Sequence, residues 1–129
     1  MRFFTTFILS AVLIMSTIVR ADDPLIFVSA FAAGEKGAIH AFGFDSKTGT
    51  LIPKQRTTDV EHPFFLVISP DGRFLYSIDA EKFGDADDEF VAAYAIQGRS
   101  GKLERLNQQS AKGTASCYLD IDSTGKTVV

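Results

Sequence analysis

Short apolar runs alternate with clusters of Gly, Asp, Ser and Pro along most of the chain, with a turn signal about every ten residues. The runs are rich in aromatic and β-branched residues, which suit a pleated, half-buried surface. They predict strands at 25–31 (LIFVSAF), 38–45 (AIHAFGFD), 51–58, 64–69 (FFLVIS), 73–80 (RFLYSIDA), 90–97 (FVAAYAIQ) and 102–109 (KLERLNQQ), then a shorter pair at 118–122 and 126–129. The runs at 51–58 and 102–109 are the most polar, and Pro53 suits a sheet edge because it cannot donate to a ladder. No segment behind residue 24 has the period of a long amphipathic helix. This pattern predicts an all-β sandwich, barrel or propeller.

The pattern repeats. Laying AFGFDSKTGTL (41–51) over AYAIQGRSGKL (93–103) matches Ala41 to Ala93, Phe42 to Tyr94, Gly49 to Gly101 and Leu51 to Leu103, an offset of 52. Laying FLVISPDGRFL (65–75) over YLDIDSTGKTV (118–128) matches Leu66 to Leu119, Ile68 to Ile121, Gly72 to Gly125 and Leu75 to Val128, an offset of 53. In Ser69-Pro70-Asp71-Gly72, Pro70 presets the first corner of a type I turn, and Gly72 takes the left-handed conformation without a Cβ clash.

A unit of about 50 residues with four strands is the sequence signature of a β-propeller blade. Strands 25–58 supply three strands of a first blade, 64–109 a full second blade, and 118–129 the start of a third. A propeller closes with about four to eight blades. Residues 22–129 supply about two, so the expectation is an N-terminal fragment or truncated product of a partial propeller domain. A two-sheet sandwich made of the same strands is the structural alternative.

Residues 1–21 stand apart. Arg2 precedes an apolar stretch from Phe3 to Val19, and Val19-Arg20-Ala21 has the small-residue layout of a cleavage site. The expectation is a signal peptide removed after Ala21, an exported (periplasmic or secreted) chain and no membrane association after cleavage. An uncleaved anchor is the rival, although the stretch is slightly short of the ~20 residues a spanning helix needs. Removing Arg2 and Arg20 leaves 11 basic against 16 acidic residues, a formal charge of −5. With no basic stripe, nucleic acid is not expected as a partner. The single cysteine, Cys117, cannot form an internal disulfide and is expected to be a small, half-buried residue.

The ordered motifs resemble the β-propeller lactonase family, which includes the propeller type of 6-phosphogluconolactonase and the carboxy-muconate cyclases. HPFFLVISPDGRFLYSID (62–79) resembles its blade motif. LIFVSAF (25–31) resembles its opening strand, with Ser29-Ala30-Phe31 in place of Gly-Thr-Tyr. GAIHAFGFDSKTGTL (37–51) resembles the hairpin that follows, through Gly37, Ile39, Asp45, Gly49 and Leu51, and ASCYLDIDSTGKTVV (115–129) resembles the opening of a further blade. The resemblance implies a seven-bladed propeller, hydrolysis of a sugar lactone, a small-molecule lactone as partner and no cofactor. It also places most of the catalytic His, Arg and Glu in later blades. Two positions depart from the pattern. Tyr118 stands where the family often has a channel-facing His, and Asp79-Ala80 stand where it often has Asn-Glu, with Glu81 one step later.

The catalytic candidates are therefore His62, which precedes an inner strand, and Glu81; Tyr118 is the candidate for substrate binding. Imidazole as a residue type titrates near neutral pH and can act as general base on an attacking water. Against these stand plain readings: His62 as a loop residue before Pro63, Glu81 as a solvated carboxylate, and His40 partly buried between blades. DADDE (85–89) lacks the EF-hand spacing and is expected to be a solvated loop, so no metal site is expected. The alternative function is a non-enzymatic exported propeller that binds protein or ligand. A shared fold cannot separate the two.

Overall fold

The computed structural model describes residues 24–82 and 88–129. The expected signal peptide and most of the acidic run 85–89 lie outside the described residues. Two antiparallel sheets follow each other in the chain. The first has the order β1-β2-β3, from Leu25–Ala30, Ala38–Asp45 and Thr50–Thr57. The second has the order β4-β5-β6-β7, from Leu66–Ile68, Phe74–Asp79, Phe90–Gln97 and Lys102–Ser110. The architecture is that of consecutive propeller blades, one with three strands and one with four. Among the described residues no helix is long and apolar enough to cross a membrane.

The core lies between the sheets. Ile39 from β2, Val60 from the β3–β4 linker and Leu75, Ala92, Tyr94 and Leu103 from the second sheet form one buried cluster, with Phe27, Leu66 and Ile96 packed against it. Alternation along the strands produces this. Ile39 and Ala41 point to one face of β2, and Ala92 and Tyr94 to one face of β6. The outer strand β3 is exposed over nearly its whole length and carries Pro53, as an edge can.

The turns show how side chains replace missing backbone partners. At the β4–β5 turn, Gly72 N–H donates to Ser69 O at 2.8 Å with φ +69°, and Phe74 N–H donates to Ser69 Oγ at 2.9 Å. At 122–127, Gly125 N–H donates to Asp122 O at 2.9 Å with φ +70°, and Thr127 N–H donates to an Asp122 carboxylate oxygen at 2.9 Å. Ser69 and Asp122 do the same work with different oxygens. Both longer hairpins also carry a register shift, between Ala41 and Phe42 in one and between Ala93 and Tyr94 in the other. Each adds one extra residue to the outer strand, bends it and increases the local twist.

Asp71 in the first turn accepts from Ser69 Oγ at 2.6 Å and from Arg73 Nε at 2.6 Å, and these bonds hold its carboxyl down at about 2. A lowered carboxyl stabilises above its ordinary pKa and loses that contribution as pH falls through the folded value. Following the Asp71 carboxyl carbon by NMR is expected to show a midpoint near 2; a midpoint at the ordinary carboxylate value would contradict the turn geometry.

Three expectations are corrected. The pair at 118–122 and 126–129 is not a regular two-stranded ladder: it forms a single bridge, Ile121 to Val128, with flanking bonds between Asp120 and Val129. Cys117 is exposed, because it sits in the irregular crossing segment after β7. Glu89, read as solvated, is 1% exposed. Its carboxylate accepts the N–H groups of Ala115 (2.9 Å) and Ser116 (2.6 Å), so it pins the crossing segment and offsets its burial through charge-assisted hydrogen bonds.

Candidate functional site

Glu61 and His62 lie in the linker from β3 to β4, where it passes from one sheet to the other. His62 N–H donates to Ala32 O at 3.1 Å, and the Glu61 carboxylate accepts Gly34 N–H at 3.0 Å; both partners belong to the loop after β1. On the other side Ala80 N–H donates to Glu61 O at 3.0 Å, and His62 Nδ1 meets Ala80 O at 2.9 Å. The linker is thus clamped between the two sheets. His62 itself has φ +42°, a left-handed value that a non-glycine residue rarely takes and that His tolerates better than most.

The imidazole is half-buried, with the Phe31 ring 5.2 Å away; Phe31 in turn meets Phe64 edge-on at 5.6 Å. A carbonyl oxygen can only accept. Nδ1 of His62 therefore carries the proton toward Ala80, and in the neutral ring Nε2 holds the lone pair.

Glu81 follows Ala80 and is exposed. It lines a cleft of about 180 Å³ together with Glu61, Asp79, Arg105 and Gln108. Tyr118 is 65% exposed, packs on Phe65 at 4.7 Å, and lines a different cleft of about 500 Å³ with Tyr76 and Val128. The structure therefore brings His62 next to the Ala80–Glu81 turn and sets Tyr118 apart from both. His40 is half-buried in mid-strand with its ring 6.1 Å from Phe42.

Sequence reasoning missed a buried polar cluster in the wall of the first cleft. Asp79, 5% exposed, accepts from Ser77 Oγ at 2.6 Å and from Tyr94 Oη at 3.2 Å, and the Arg105 guanidinium lies 3.9 Å away. Arg105 also donates to the linker carbonyl of Asp59 at 3.4 Å, which ties the outer strand of the second sheet to the linker. A signal was available: Leu75, Ser77 and Asp79 alternate onto one face of an apolar strand. Burial raises the Asp79 carboxyl above its ordinary value, against the pull of its hydrogen bonds and of Arg105. Burial likewise raises the Tyr94 phenol, helped by the Asp79 charge.

A raised carboxyl gives stability that is full below its unfolded pKa and is lost as pH rises through the folded value. Asp79→Asn is expected to flatten that loss in urea unfolding as pH rises above the ordinary carboxylate range; an unchanged pH slope would contradict the burial argument. Among the described residues, no group of three or more His, Cys, Asp or Glu side chains is placed to hold a metal ion.

Residues 25–129 match the family model for lactonases built as seven-bladed β-propellers. The chain belongs to this lactonase family. It is 29% identical over 102 residues to a 6-phosphogluconolactonase of Formosa agariphila, covering 78% of this chain and 28% of that one. It is 27% identical over 104 residues to the 6-phosphogluconolactonase of Bacillus subtilis, covering 80% and 28%. A solved structure from Bacteroides fragilis, of a protein proposed to be a 6-phosphogluconolactonase, superposes with a TM-score of 0.69 at 31% identity over 80% of this chain and 28% of that one. The chain thus spans little more than a quarter of the length of these relatives. Within the lactonase family, the described sheets are two neighbouring blades, and the Glu61–His62 linker is the crossing between them.

Proposed function

We propose that this chain supplies blades of a lactonase-family propeller that hydrolyses a sugar lactone of the 6-phosphogluconolactone kind. The supporting observation is that residues 25–129 match the family throughout and align with relatives bearing that name. In this reading His62 Nε2 takes a proton from the water that attacks the lactone carbonyl. The carbonyl re-forms as the ring C–O bond breaks, and the departing ring oxygen takes a proton to give the hydroxy acid. Glu81 contacts the sugar from the first cleft, and Tyr118, in the second, takes no part in this step. We also propose that residues 1–21 are a cleaved export signal, so that the mature chain meets unphosphorylated lactones; an intact mass beginning at Asp22 in an exported fraction would support this, and a retained Met1 would contradict it.

Two blades cannot enclose a central site, so residues 22–129 alone are expected to hydrolyse gluconolactone no faster than buffer. The decisive experiment uses a chimaera with residues 25–129 in place of the matching quarter of the Bacillus subtilis relative. Hydrolysis within about tenfold of the parent is expected. A folded chimaera with no hydrolysis would count against the reading and leave a binding scaffold.

A further inference from the structure

We propose that Glu61 is a positioning residue: by bonding the loop after β1, its carboxylate holds His62 as the Nδ1–H tautomer with Nε2 as the free acceptor. The proposal deepens the reading of His62 as the base and rests on it for its functional meaning, but its structural content can be tested without activity.

Three observations converge on the imidazole. The Ala80 carbonyl fixes which nitrogen is protonated, at 2.9 Å from Nδ1. The backbone of His62 stands at φ +42° immediately before Pro63, where an extended conformation is the steric default. Such a conformation persists only where its surroundings over-determine it. Those surroundings are the loop after β1: Ala32 O accepts His62 N–H, and the neighbouring Phe31 ring lies 5.2 Å from the imidazole. Glu61 fastens this loop at Gly34, whose N–H it accepts at 3.0 Å, while the Arg56 guanidinium donates to the next carbonyl, Glu35 O; Gly34 itself has φ +58°. Its main-chain carbonyl meanwhile holds Ala80 N–H at 3.0 Å, so the same residue anchors both neighbours of the ring. Releasing the carboxylate loosens the loop at Gly34, on the side that faces His62, lets His62 relax toward extended backbone and withdraws Nδ1 from Ala80.

The test is the pair of imidazole nitrogen resonances in the uniformly ¹⁵N-labelled chain, recorded at a pH where the ring is neutral. His62 is expected to show a protonated Nδ1 and an unprotonated Nε2, with His40 as internal control. Glu61→Ala is expected to move His62 to an averaged mixture while His40 stays unchanged; Glu61→Gln, which keeps an acceptor at that reach, is expected to restore the Nδ1–H pattern. Should the alanine chain fail to fold, Glu61→Asp keeps the charge but falls short of Gly34 and is expected to average as well. An Nε2–H tautomer in the parent chain, or an unmoved His62 in a folded Glu61→Ala or Glu61→Asp chain, would overturn the proposal. These results stand apart from the chimaera: loss of its hydrolysis would end the functional reading and leave the tautomer untouched.

Discussion

Gly101→Val is expected to destabilise the chain by about 3 kcal/mol, while Gly49→Val at the matching turn of the first sheet loses only about half as much. Both glycines have left-handed backbone, φ +74° at Gly101 and φ +72° at Gly49, so a β-branched residue is strained at either. Their surroundings differ. A Cβ at Gly101 would stand 2.5 Å from Ala41 Cβ, because the β6–β7 turn rests directly on β2 of the neighbouring sheet. A Cβ at Gly49 meets nothing within 4 Å. The first substitution therefore adds overpacking, about 1–3 kcal/mol, to the backbone strain that both share. Domains of this size have about 5–15 kcal/mol in all, so the melting temperature of Gly101→Val should fall by roughly 10 °C or more. Equal losses at the two glycines would mean that the sheets do not meet there.

The largest effect on catalysis is expected at His62. In the chimaera, His62→Asn should lower kcat by about 10²–10⁴-fold, the usual contribution of a positioned general base. Asparagine is chosen because it tolerates the left-handed backbone at φ +42° and can still donate to the Ala80 carbonyl, so the linker should keep its path. Unchanged unfolding with lost turnover would place the effect in the chemistry. Turnover within about threefold of the unsubstituted chimaera would remove His62 from the mechanism and leave it as a seam residue.

The strands were legible because their cues are local. Alternation marked Ala38–Asp45 and Phe90–Gln97 within a residue, and Ser-Pro-Asp-Gly marked the β4–β5 turn. What escaped depends on partners far away in sequence. Glu89 looked solvated inside an acidic run, and only the N–H groups of Ala115 and Ser116, 26 and 27 residues on, reveal why it is buried. The closing pair at 118–122 and 126–129 had strand-like composition, yet it makes one bridge, since regular pairing needs neighbours that these few residues do not supply by themselves. His62 was legible as a residue entering an inner strand. Its left-handed backbone, its bond to Ala80 and the clamp through Glu61 were not, because each requires the two sheets to be already in place.

The seam between the sheets carries the rest, for it positions Glu61, His62 and Ala80 together. The most direct measurement is the proton–proton Overhauser contact between the Gly101 α-protons and the Ala41 methyl group in the labelled chain. Neighbouring blades predict a strong contact there, accompanied by a weaker one from Gly101 to the Leu25 methyls. A well-dispersed spectrum in which Gly101 contacts neither residue would contradict the blade arrangement, and with it the site built on the linker.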